Sequence, residues 1–196
     1  MTPIAIRASS MDRRLSCHGS AAVEARVEPR QGDEGFEGVM VHWNIADRAI
    51  KELGAQPPDG GLPPPDVPKS YRLPTASQWM VEWALRHLRE IAPNDWSLMV
   101  EGASAYERPL PGPVAIIDAA TGEKMVAHSY VLSAHQDITA ISPDGRHAKG
   151  VDWKAGHKPV DPAGNNWQVL SYIVSNKTAW PELDIHEFEI CQPRLP

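Results

Sequence analysis

The chain has 196 residues, 42% of them hydrophobic and 22% charged, with a formal net charge of −6. That length supports one globular domain with a substantial core. The acidic balance argues against a protein that coats nucleic acid through general basicity, because such binding relies on neutralising phosphates with Lys and Arg. Two cysteines, Cys17 and Cys191, are too few for a disulfide framework, a four-thiolate zinc site or a cysteine-ligated iron-sulfur cluster, and they suit a reduced cytoplasmic setting. Met1 to Arg14 lacks an apolar stretch, and no segment approaches the ~20 apolar residues of a membrane span, so a soluble, unexported protein is expected.

In chain order, Ser9-Ser10 reads as the cap of a short helix running from Met11 towards Gly19. From Gly38 to Leu53, apolar residues at Val39, Trp43, Ala46, Ile50 and Leu53 follow the helical repeat, with His42 beside that stripe and Gly54 closing the segment. Residues 55–74 are rich in Pro and Gly and read as a surface loop or linker without chemistry. Thr75-Ala76-Ser77-Gln78 has the capping-box pattern and predicts a helix through Ile91, ending before Pro93. Beyond Asn94 the texture becomes that of strands, at 96–106, 114–118, 124–133, 135–141 and 147–154, forming an antiparallel meander in the middle. Asn165 or Asn166 caps a helix carrying Trp167, Leu170, Tyr172 and Ile173, and a last strand runs from about Ile185 to Cys191. The expectation is a single α/β (α+β) domain over residues 1–196.

The richest stretch is Asp152-Trp153-Lys154. Side chains alternate along a strand, so Asp152 and Lys154 share one face while Trp153 turns into a core. If Asp144-Gly145 is a two-residue hairpin loop, Asp137 lies opposite Asp152 with Cβ atoms roughly 5 Å apart. Carboxylates held that close repel unless one is protonated or a cation sits between them, and a divalent metal is the economical explanation. A three-residue loop over Pro143-Asp144-Gly145 would turn Asp137 to the other face. The first register gives the charges a purpose and is adopted. His135, two residues before Asp137, falls on its face and is a candidate phosphate contact. Gln168 and Tyr172 are four apart and share a helix face. His128, His135, His147 and His157 gather around the strands, but no zinc-type spacing accompanies them.

Taken together, these residues resemble the PD-(D/E)XK nuclease superfamily, and within it the RecB-like branch of phage and prophage recombination exonucleases. The matching elements run in order: Ala8-Ser9-Ser10 with Arg13, Cys17, Gly19 and Ser20; Glu37-Gly38 with His42; Asp137; Asp152-Trp153-Lys154 with Gly156; Gln168 and Tyr172; and a Gln192-Pro193-Arg194 ending. The resemblance implies a restriction-endonuclease-like core, a central mixed sheet flanked by helices. It implies Mg²⁺ or Mn²⁺ held by His42, Asp137, Asp152 and the backbone carbonyl of Trp153, with Asp137, Asp152 and Lys154 as the catalytic set. Hard oxygen donors suit Mg²⁺, and one imidazole makes Mn²⁺ acceptable. Gln168, Tyr172, Ser10, Arg13 and His135 would contact DNA. Glu101 and Glu107 are secondary candidates for a further glutamate on the first strand. Asp152 stands where many relatives have Glu, and Ala134 replaces a common glycine. Only Cys17 matches the cysteines of cluster-bearing relatives, so no iron-sulfur cluster is expected.

The implied activity is phosphodiester hydrolysis in DNA, in the cytoplasm of a bacterial host, from a phage or prophage gene, with a phage-type annealing or recombination protein as a partner and no membrane. Two other readings stand beside it: a catalytically silent DNA-binding module of the same fold, and an unrelated metal hydrolase using His42 and the two aspartates.

Overall fold

A computed structural model describes residues 4–11, 33–117, 123–156 and 159–194. Its first element is β1 (Ile4–Arg7), followed by a single 3-10 turn at Ala8–Ser10 in which no side chain caps the helix start. The short helix expected from Met11 to Gly19 lies almost wholly outside the described residues.

Helix α1 (Asp33–Leu53) starts five residues before the periodic stretch. Gly54 ends it, and the Ala55 N–H turns back to the Ala49 carbonyl at 3.1 Å. Helix α2 (Thr75–Ile91) has the expected bounds but not the expected cap. Pro74 occupies the cap position, and its carbonyl takes the Ser77 N–H at 2.8 Å, leaving Thr75 as the first helical residue.

The strands merge where breaks were expected. Strand β2 runs unbroken over Ser97–Ile117, and β3 over Lys124–Ile141. Pro109, Pro111 and Pro113 lie in the stretch of β2 between the expected strands 96–106 and 114–118. Residues two apart in a strand direct their N–H groups to the same lateral edge, so three alternating prolines remove donors from one edge and leave the other able to pair. Strand β2 pairs with β3. Strand β4 (His147–Trp153) lies antiparallel to β3 and parallel to β5 (Ile185–Cys191), while β1 lies parallel to β3. The result is an open, mixed five-stranded sheet in the order β1-β3-β4-β5, an α+β arrangement with three helices among the described residues. Gly150 in β4 sits under the Phe188 ring of β5, where any Cβ would overlap the aromatic carbons.

The chain packs as two compact units. One comprises Gln31–Ala103, Gln136–Ala163 and Glu182–Pro196, and the other Met1–Arg30, Ser104–His135 and Gly164–Pro181. In the first, α1 and α2 bury Ile45, Met80, Leu85 and Leu88 with Ile138, Val151, Trp153 and Cys191 in one apolar core. Truncating either of these leucines to Ala is expected to cost about 2–5 kcal/mol. In the second, helix α3 (Trp167–Ala179) opens on Asn166, whose side chain accepts the Gln168 and Val169 N–H groups at 3.0 and 3.3 Å. No helix among the described residues is long and apolar enough to cross a membrane.

Candidate metal centre

The β3–β4 hairpin fixes the centre of the site. Ile138 pairs with Val151 and Ile141 with Ala148, so Asp137 is next in line with Asp152. The expected register holds, but the turn is not the expected two-residue loop. The ladder closes at Ser142, whose N–H donates to the His147 carbonyl at 2.9 Å, and the Gly145 N–H closes a turn on the Ser142 carbonyl at 2.9 Å. Pro143 and Asp144 are thus the turn's central pair, and Gly145 takes the left-handed conformation at φ +71°. A four-residue loop shares its midpoint with a two-residue one, which preserves the pairing.

Strand alternation sends Val151 and Trp153 into the core and Asp152 to the opposite face. From α1, the half-buried His42 imidazole meets Asp137, Nδ1 to Oδ1, at 3.2 Å. The second Asp137 oxygen accepts the Trp153 backbone N–H at 2.7 Å. Lys154 Nζ lies 2.6 Å from Asp152 Oδ2, with that carboxylate side chain only 3% exposed. His42, Asp137, Asp152 and Lys154 therefore converge from one helix and two strands.

Their electrostatics divide the two aspartates. Burial would raise Asp137, but the His42 charge and hydrogen bond, the Trp153 N–H and Lys154 outweigh it and hold this carboxyl below its usual range. Burial and the neighbouring Asp137 charge push Asp152 up, against the opposing pull of Lys154. For His42 burial acts downward, but Asp137 prevails and the imidazole is raised. Only one of these two buried carboxylates is comfortably ionised, so a cation between them would offset their repulsion. The donor set of carboxylates and one imidazole fits Mg²⁺ or Mn²⁺.

Beside this centre opens a cleft of about 450 Å³ lined by His42, Trp43, Pro63, Asp66, Glu101 and Asp137 among others. Its wall includes Leu62 to Pro65, part of the segment expected to carry no chemistry. The Trp43 indole N–H anchors that segment by donating to the Pro63 carbonyl at 2.8 Å. Nothing in the residue pattern marks this loop as a wall, because the anchor depends on a backbone acceptor.

Glu101 and Glu107 part company. Glu101 lines the cleft, and burial and Asp137 push its carboxyl up. It also holds φ at +51°, a left-handed conformation that costs a non-glycine residue about 1 kcal/mol and tends to occur at functional sites. Glu107 is exposed and accepts the Ser129 hydroxyl at 2.7 Å. The remaining expected contacts lie in the other unit. The Gln168 amide donates to the Tyr172 hydroxyl, but Tyr172 is only 2% exposed, so it supports Gln168 rather than offering a face for base stacking. His135 is exposed in β3, Ser10 falls in the 3-10 turn, and Arg13 and Cys17 lie outside the described residues.

Two further pieces of the expected pattern meet. Glu37, one turn before His42, accepts from both Ser77 Oγ and the Arg194 guanidinium, and Arg194 Nη2 also lies 3.3 Å from Ser77 Oγ. The Glu37 and Arg194 side chains are 18% and 14% exposed. Removing one partner of a largely buried pair strands the other's charge, so Arg194→Ala is expected to cost about 3 kcal/mol in urea unfolding. Glu37→Gln in the same chain should recover part of that loss, because the stranded carboxylate is then gone. An unchanged midpoint for Arg194→Ala would mean that the pair contributes nothing.

No protein-family model matches the chain, and no curated protein is significantly similar to it.

Proposed function

We propose that this chain is a Mg²⁺- or Mn²⁺-dependent nuclease that hydrolyses phosphodiester bonds in DNA, a member of the PD-(D/E)XK superfamily of phage recombination type. The observation that carries the reading is the convergence of His42, Asp137, Asp152 and Lys154 beside an open cleft. His42, Asp137, Asp152 and the Trp153 carbonyl would hold the cation. When bound, such a cation acidifies a water and neutralises charge on the phosphate.

The chain's own residues do the rest. Asp137 is kept ionised by His42 and the Trp153 N–H, so one anionic ligand is ready before any cation arrives. Asp152 would carry its full charge once a bound cation offset the repulsion from Asp137. Lys154, bonded to Asp152, supplies a compact positive charge beside the phosphate undergoing attack. The attacking water gives up a proton to bulk solvent as its oxygen bonds to phosphorus, the bond to the departing oxygen breaks, and that oxygen takes up a proton. Glu101, in the cleft with its carboxyl pushed up, is placed to give it.

One observation favours a second reading. The cleft wall at Leu62 to Pro65 is apolar, and Asp66 adds negative charge, which suits a compact substrate better than a long polyanion. A hydrolase of small phosphodiesters using the same His42 and aspartates would have such a wall. Incubation with linear, circular and single-stranded DNA, and separately with a small chromogenic phosphodiester, in Mg²⁺, Mn²⁺ or EDTA, tests both. Metal-dependent DNA cleavage absent from EDTA supports the nuclease; turnover of the small diester with DNA left intact supports the second reading; inertness towards both removes the enzyme reading.

A further inference from the structure

On the core-facing side of β4 and β5, away from Asp152, a second group of donor atoms converges. Glu189 and Cys191 are two apart on β5 and so share a face, and their parallel partners on β4 are Val151 and Trp153, both core residues. Helix α2 brings His87 to the same place: its Nε2 is 3.0 Å from Glu189 Oε2. One ligand atom from each of His87, Glu189 and Cys191 lies within 4.8 Å of the others. We propose that these three residues form a binding site for a zinc-class transition metal, with water in the fourth position.

The donor chemistry is the first support. A thiolate, an imidazole and a carboxylate are all zinc ligands, and three protein groups plus an open position make a recurring tetrahedral set. Metal–ligand bonds of about 2.0–2.3 Å place tetrahedral donors about 3.3–3.8 Å apart, so side-chain movements of about 1 Å would close the group. The surroundings are the second support. The His87 ring stacks on Trp83 at 5.2 Å with the planes 8° apart, and meets the Trp153 ring edge-on at 6.2 Å. That packing fixes the direction of Nε2. On the far side, the Glu90 carboxylate lies 3.9 Å from His87 Nδ1, placed as the outer carboxylate that commonly orients a ligating histidine. Glu189 is half exposed, which gives a cation a route in, while Cys191 is buried. Without a cation, burial and the adjacent Glu189 push the Cys191 thiol up, so the sulfur carries its proton and binding must release it.

This site does not depend on the proposed nuclease activity. The test is titration of the EDTA-stripped full-length protein with Co²⁺, read by absorption, followed by Zn²⁺ competition. The expected result is one saturable equivalent showing thiolate-to-cobalt charge transfer, displaced by Zn²⁺, absent from Cys191→Ala, and retained in Cys17→Ser and Asp137→Asn. Because Cys191 is in the core, His87→Gln at a half-buried position repeats the test, and Co²⁺ affinity there should fall at least about tenfold. Glu90→Gln should weaken Zn²⁺ binding by about 10- to 100-fold with the charge-transfer band kept. A wild-type protein without the band, a band that survives Cys191→Ala, or a band that disappears with Cys17→Ser overturns the proposal.

Discussion

Lys154→Ala is expected to slow single-turnover DNA cleavage by about 10²- to 10³-fold while changing DNA affinity only a few-fold. A single positioned donor acting on charge that develops in the transition state is typically worth about 3–4 kcal/mol, whereas one phosphate contact among several contributes much less at physiological salt. The ammonium is well placed for that asymmetry: it is bonded to Asp152 at 2.6 Å and only 25% exposed. Its loss also removes a positive charge that now offsets the Asp137–Asp152 repulsion, so metal affinity should hold or rise rather than fall. Lys154→Arg should recover part of the rate, because a guanidinium keeps the charge but not the compact point geometry. Rapid-quench cleavage in Mn²⁺ and a binding titration in Ca²⁺ separate the two effects. Equal losses in affinity and cleavage would reduce Lys154 to a binding contact, and no loss in either would remove it from the site.

How much of this centre the sequence revealed follows from which features depend on periodicity. The convergence of Asp137, Asp152 and Lys154 needs only strand alternation and a hairpin midpoint, and the midpoint survives even though the turn is built from Pro143-Asp144 with Gly145 rather than from Asp144-Gly145 alone. Helix α2 was legible for the same reason, with Met80, Ala84 and Leu88 marking one buried face. Its cap was not, because Pro74 takes by backbone what Thr75 was expected to take by side chain. Three other features had no local signal. The left-handed backbone of Glu101 falls inside strand β2, at a residue with no special turn propensity. The loop from Leu62 to Pro65 becomes a wall through an indole bond to a carbonyl. The burial of Tyr172 follows from packing, not from its spacing to Gln168. The group at His87, Glu189 and Cys191 was legible only in part: alternation pairs the last two, but nothing in the order of residues brings α2 beside β5.

Asp152→Asn is expected to abolish stabilisation by Mn²⁺ while leaving the metal-free protein at least as stable as wild type. In the wild type, cation at about 100 times its dissociation constant should add about 2.7 kcal/mol, or roughly 5–10 °C in melting temperature for a chain of this size. The metal-free gain follows from the pKa directions. Burial and Asp137 raise Asp152 above its unfolded value, so between the two values the native state binds more protons than the unfolded one, and stability falls as pH rises through that window. The amide introduced by Asp152→Asn cannot ionise and escapes this loss, giving an advantage that is absent in acid, where both forms are neutral, and present near neutral pH. Asp137 behaves in the opposite sense: its carboxyl is lowered, so its contribution is present above the unfolded value and disappears as pH falls through the folded one. Asp137→Asn should therefore destabilise the metal-free protein at neutral pH, and more so because the amide leaves one acceptor oxygen where His42 and the Trp153 N–H had two. Melts of the two variants from acid to neutral pH, with and without Mn²⁺, should give opposite signs for the metal-free change and the same loss of the metal-induced shift. Should Asp152→Asn gain as much from Mn²⁺ as wild type does, Asp152 is no ligand and the proposed metal centre falls.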